Sequence, residues 1–160
     1  GRGEGAGWRL PASDLAHLPK RTMLAEDAKL WGGNLSVLCS LIGTPFLPAV
    51  EKGVLFLEDV AEHPYRIERM LTQLLNTGVL AKQQAIVLGQ FTDYKLTSHD
   101  KGYKLDSVVS WFRDHMKVPV LTGLPFGHVP TKVCLPVGQV VNLLREDREA
   151  FLLWAHQAHD

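Results

Sequence analysis

Two uninterrupted apolar runs, GVLFLEDV at 53–60 and QAIVLGQF at 84–91, constrain this chain more than any other feature. A strand with one face in water alternates apolar and polar residues. Val54-Leu55-Phe56-Leu57 and Ala85-Ile86-Val87-Leu88 do not alternate, so both faces of each strand must be covered. Between them, Ile67, Met70, Leu71, Leu74 and Leu75 recur at steps of three and four. Pro64 suits the first turn of that helix and Gly78 its end.

The remaining pattern extends the same layered arrangement. LWGGNLSVLCSLIGTP predicts a tight turn at Gly32 and Gly33, then a short apolar helix capped by Asn34 and closed by Gly43 after Ile42. A polar, glycine-containing loop is expected over 92–103, a helix over 106–116, and a strand from VPVLTGL at 118. KVCLPVGQVVNLL should form a hairpin breaking at Pro136 to Gly138. The last sixteen residues, REDREAFLLWAHQAHD, should begin as a turn and end as a short helix burying Phe151, Leu152 and Trp154. Residues 1–28 read as a linker or terminal strand region, with a short strand around 8–10, and residues 29–160 as the folded domain. The fold class is α/β, a mixed sheet with helices.

With 160 residues, 46% of them hydrophobic, the chain can bury one core. Seventeen basic residues balance seventeen acidic ones, which leaves no positive surplus to drive nucleic-acid binding. No apolar stretch approaches the roughly 20 residues that span a bilayer, and no signal-peptide core is present, so a cytoplasmic protein without a membrane partner is expected. Cys39 and Cys134 lie in separate apolar segments and suit reduced core thiols. The seven histidines form no HExxH or similar ligand spacing, so no metal or other cofactor is expected. The start GRGEGAGW, without methionine, suits a piece of a longer protein.

Glu58 and His128 stand where apolar strands end, the place where open α/β sheets carry their chemistry. A carboxylate accepting a hydrogen bond from one imidazole nitrogen fixes the tautomer, so the other nitrogen can take a proton. On position alone, the plainer reading of a turn carboxylate and a satisfied loop histidine is favoured. Asp59 reads as a cap on the turn. Gly33, beside Asn34, could let a ligand approach backbone amides, and both residues are candidate substrate contacts. Arg66 is a candidate for a substrate carboxylate, although a helical pair with Glu62 is the plainer and favoured account.

The stretches LWGGNLSVLCSLIGTP, GVLFLEDVAEHPYRIERMLTQLLNTGVL and VPVLTGLPFGH, taken together, resemble the C-terminal half of the LD-carboxypeptidases, or muramoyltetrapeptide carboxypeptidases. This serine peptidase family also contains microcin-immunity hydrolases. The likeness runs over about 29–144. It implies a swivelling β/β/α domain that carries a catalytic glutamate, matched by Glu58 in FLEDV, and a catalytic histidine, matched by His128 in PFGHVP. It further implies an N-terminal flavodoxin-like domain as partner, bearing the nucleophilic serine, and murein tetrapeptide as substrate in peptidoglycan recycling. A homodimer is also common in the family.

The chain departs from the family pattern in having no GxSxG or GxSD elbow. Ser13, Ser36, Ser40, Ser98, Ser107 and Ser110 all lie outside a strand-turn-helix glycine context in this pattern. The resemblance therefore implies an isolated domain that does not turn over alone. Two alternatives remain open, an immunity-type hydrolase with the same triad and a non-catalytic binding module with this fold.

Overall fold

Leu55, Leu57, Ile86 and Leu88 are sealed from solvent on one face of a sheet, and Val54, Phe56, Ala85 and Val87 on the other. The computed structural model describes residues 3–59, 63–89, 105–124 and 135–155. In chain order these form β1 (Gly3–Arg9), α1 (Ala12–His17), β2 (Met23–Asn34), α2 (Leu35–Ser40), β3 (Val54–Glu58), α3 (Pro64–Thr77), β4 (Ala85–Gly89), α4 (Leu105–Asp114), β5 (Val120–Leu124), β6 (Val140–Glu146) and β7 (Glu149–Ala155). The strands make one mixed sheet of seven in the order β1-β7-β6-β2-β3-β4-β5. Strands β2 to β5 run parallel, and the other pairings are antiparallel. This is the α/β class expected.

Each face of the parallel half has its own core. On one side, Ile67, Leu71 and Leu74 of α3, Leu35 and Leu38 of α2, and Phe112 of α4 pack on β3 and β4. On the other, Trp8, Leu24, Leu30, Val141, Leu143 and Leu152 close over Val54, Phe56, Ala85 and Val87. The sheet therefore curls. Its outermost strands meet, and the Trp8 indole N–H on β1 donates to the Thr122 carbonyl on β5 at 2.9 Å. Register shifts between β2 and β6 near Ala25 and Ala28, with Asp27 at φ 47°, supply part of the bend.

Several local expectations hold. Pro64 stands in the first turn of α3 and Gly78 closes it at φ 82°. The Asn34 side chain accepts from the Val37 N–H at 3.0 Å, capping α2. Others are corrected. Gly32 and Gly33 do not form a turn but end β2, at φ 120° and 135°. A Cβ on Gly32 would lie 2.1 Å from the Phe56 carbonyl oxygen, so the approach of β3 admits only glycine there.

The expected C-terminal helix is instead β7, a strand held between β1 and β6. Ala150 and Leu152 alternate into the core while Glu149 and Leu153 face outward, and pairing on both sides overrides a helical reading. The hairpin of this region joins β6 to β7 through Asp147, at φ 53°, rather than breaking at 136–138. There, Gly138 donates to the Leu30 carbonyl, which docks the turn on β2. Residues 3–28 hold β1, α1 and the start of β2. The loop expected over 92–103 and Cys134 lie outside the described residues.

One buried side chain ties the lower end of the parallel strands together. Gln83 Oε1 accepts from the Trp31 indole at 3.0 Å and from the Gly53 amide at 3.1 Å. Its Nε2 donates to the Val50 and Val79 carbonyls at 2.8 and 2.9 Å. We predict that Gln83→Ala, which deprives all four groups of their partner, lowers stability by about 2–3 kcal/mol in urea denaturation. A loss near zero would mean that water replaces the amide at no cost.

Candidate active site

The four parallel strands finish at one edge of the sheet. Asn34, the last residue of β2, stands opposite Glu58, the last of β3, and Gly89 of β4 stands opposite Leu124 of β5. Strand ends of this kind are the usual seat of chemistry in open α/β sheets because the loops that follow converge there. Glu58 is half-buried and held by a strand whose other residues are all buried. His128 lies outside the described residues. It follows β5 by four positions, and β5 is separated from β3 by β4 alone, roughly 10 Å at the usual strand spacing.

Asp59, next to Glu58, is 4% exposed and committed to structure. One carboxylate oxygen accepts from the Ser36 amide at 3.1 Å and the Ser36 hydroxyl at 2.5 Å, and the other from the Asn34 side-chain amide at 3.4 Å. Asp59 and Asn34 thus satisfy two of the free N–H groups at the start of α2. Asp59 was expected to cap the turn after β3, whereas its described bonds cap the start of α2.

The other candidates fall around the same edge. Both polar side-chain atoms of Asn34 are used within this cap. Among the described residues beyond its chain neighbours, no atom lies within 4 Å of where a Cβ on Gly33 would sit. Arg66 is exposed in the first turn of α3, the helix that follows Glu58 in the chain, and Glu62 lies outside the described residues. An apolar groove of about 360 Å³ runs beside Asn34, lined by Trp31, Val37, Leu38 and Val137, with Glu58 not among its lining residues.

Ser36 stands at a strand-to-helix junction just beyond Gly32 and Gly33, without the intervening turn of a nucleophile elbow. Its hydroxyl donates to Asp59, so the cap holds its proton. The His63 cap of α3 was not foreseen. Its Nδ1 accepts from the Tyr65 N–H at 3.1 Å, and its ring stacks on Tyr65 with centroids 4.6 Å apart. Histidine is an uncommon cap, and the adjoining Pro64 was the only local signal. Among the described residues, no group of His, Cys, Asp and Glu is arranged to hold a metal, and no helix is long and apolar enough to cross a membrane.

The chain is thus a curled α/β domain with Glu58 at the carboxyl end of β3, an inner strand of its sheet. Residues 27–143 match the model of the LD-carboxypeptidase C-terminal domain, and the chain belongs to that family. It is 35% identical over 130 residues to the murein tetrapeptide carboxypeptidase of Pseudomonas aeruginosa, covering 81% of this chain and 41% of that protein. It is 35% identical over 125 residues to a probable murein peptide carboxypeptidase of Bacillus subtilis, covering 78% and 39%.

Among solved structures, the muramoyltetrapeptide carboxypeptidase of Oxalobacter formigenes superposes with a TM-score of 0.81 at 41% identity, over 94% of this chain and 49% of that one. The microcin C7 self-immunity protein shares the fold, at 24% identity and a TM-score of 0.67, over 86% of this chain and 41% of its own. The chain thus spans about two fifths of the curated relatives it matches.

Cys39, at the far end of α2, is held out of water, and burial first and the Asp59 charge second push its thiol from 9.0 up to about 11. Above pH 9 the unfolded thiol ionises while the folded one does not, so its contribution to stability is complete below 9 and lost by about 11. We predict that wild type loses stability relative to Cys39→Ala across that window in urea denaturation. Parallel curves would show that the thiol ionises equally in both states.

Proposed function

We propose that this chain is the part of a serine LD-carboxypeptidase that supplies the general base and the carboxylate orienting it. The observation that carries this reading is the position of Glu58, at the carboxyl edge of a strand buried on both faces, with β5 running parallel towards His128. A rigid strand fixes its terminal side chain better than a loop does, which is what an orienting carboxylate needs.

In this reading the Glu58 carboxylate accepts the N–H of one His128 ring nitrogen, and the other nitrogen takes the proton of a serine hydroxyl. The serine attacks the scissile carbonyl and forms an acyl-enzyme. His128 returns the proton to the leaving amine, then draws one from the water that releases the acyl group. Glu58 holds the ring and stabilises the imidazolium in both halves. No metal enters the scheme. The substrate proposed is murein tetrapeptide, whose terminal D-alanine would be the leaving group, and the name of the Pseudomonas relative supports this choice.

The serine is assigned to the flavodoxin-like N-terminal domain of the family, because the 160 residues contain no serine elbow. Gly33 and Arg66 are proposed substrate contacts, through open backbone at the first and the guanidinium at the second. Asn34 would act with them by shaping the backbone between β2 and α2.

D-alanine release from murein tetrapeptide, followed by mass spectrometry, tests the assignment. The chain alone is expected to release none. Joined to the N-terminal domain it should turn over, and Glu58→Gln should then lower kcat by roughly 10³–10⁴-fold, as loss of the orienting carboxylate does in a triad. Release by the chain alone that disappears in Ser36→Ala would make Ser36 the nucleophile and refute the two-domain reading.

A further inference from the structure

The ladder between β4 and β5 slips by one residue just before the chain leaves the sheet. Val87 opposes Leu121, but Gly89 opposes Leu124, so Thr122 and Gly123 together face a single residue of β4. This is a β-bulge. Its effect on direction is visible in the core, where Leu121 and Leu124 point into the same cluster although regular alternation would put them on opposite faces.

Every polar group of Thr122 in this bulge is held from the other end of the chain. Its N–H donates to one oxygen of the Asp14 carboxylate at 2.6 Å, and its hydroxyl to the other at 2.8 Å. Its carbonyl accepts from the Trp8 indole at 2.9 Å. Gly123, at φ 87°, lies against Trp8, Arg9 and Pro11, each 3.5 Å from where its Cβ would be.

Asp14 is fully buried, and its charge is answered by Arg113 of α4. The same guanidinium donates to the Val120 carbonyl at 2.9 and 3.3 Å, so the ion pair brackets β5 from Val120 to Thr122. A carboxylate with no water around it needs its donors, which here are the guanidinium, an amide and a hydroxyl. Closing the curled sheet needs only apolar contact between its edges. The clamp does more, because it fixes the one irregular step of β5 through three directed hydrogen bonds to Thr122.

We propose that Trp8, Asp14 and Arg113 are positioning residues that hold the bulge at Thr122 and Gly123 and so set where the chain leaves β5 on its way to His128. The hold on β5 stands by itself, whereas its consequence for catalysis rests on the function proposed above. Residues 8–14 lie ahead of the stretch that matches the family domain, so the clamp reaches the site strand from outside it.

The test is amide hydrogen exchange of the 160-residue chain, resolved by residue with NMR, in wild type, Trp8→Phe and Thr122→Ser. Trp8→Phe keeps an aromatic ring in the core but removes the N–H together with part of the indole, and it avoids stranding a buried charge as Asp14→Asn would. Exchange at Thr122 should rise about tenfold more than at Leu55 and Leu57 of β3, the effect of one lost hydrogen bond acting locally. Thr122→Ser, which retains the hydroxyl, should stay within the wild-type range.

Equal acceleration at Thr122 and in β3, or none at either, would overturn the proposal and leave Trp8 a contributor to global stability only. In the enzyme completed by its nucleophile domain, Trp8→Phe should lower kcat with KM unchanged. A KM effect alone would also overturn the link to His128. Absence of D-alanine release by the completed wild type would defeat the functional reading while the exchange result still decides the clamp.

Discussion

A single buried carboxylate, Asp14, lies where the two outermost strands of a seven-stranded sheet come together. Left unpaired there, it would cost several kcal/mol, and Arg113 supplies the opposite charge. The pair joins α1 to α4 and β5, which lie about a hundred residues further along the chain. Around this seam the apolar residues of β1, β2, β6 and β7 close over the inner face of the parallel strands. With the edges tied, neither β1 nor β5 presents a free ladder along its whole length, which removes much of the hazard of open sheet edges.

The opposite face is built differently and serves a different purpose. Three helices cover β3 and β4, and the loops that leave those strands all start at one edge. At that edge the structure separates two neighbouring carboxylates by role. Asp59 is turned inward and used up by the start of α2, while Glu58 ends the strand itself. Adjacent acids of the same chemistry thus receive different duties from the pleat of one strand, since successive side chains point to opposite sides. The catalytic role proposed for Glu58 belongs to this second position.

How much could be foreseen depended on how local the cause was. The parallel strands and α3 were legible because uninterrupted apolar runs and a three-to-four spacing have few structural solutions. The caps at Asn34 and Gly78 were legible because they depend on one residue and its own backbone. Strand β7 was misread as a helix because Phe151 to Trp154 is a short apolar run in which both periods fit, and only its two partner strands settle the choice. Gly32 looked like a turn former, whereas the demand for glycine comes from the Phe56 carbonyl on another strand. Asp14, Gln83 and Arg113 gave no signal, because a buried polar residue differs from a solvated one by partners that lie up to 108 positions away. Glu58 was placed at a strand end by pattern, and the family likeness rather than the pattern gave it a role.

The account turns on whether Glu58 and His128 form one hydrogen-bonded unit. NMR shifts of the His128 ring nitrogens, which differ between the two neutral tautomers, report this directly in the chain itself. The account predicts one fixed tautomer in wild type and an averaged pair in Glu58→Gln, with the rest of the spectrum preserved. Identical ring-nitrogen shifts in the two proteins would show that Glu58 does not hold His128, and the proposed catalytic pairing would be wrong.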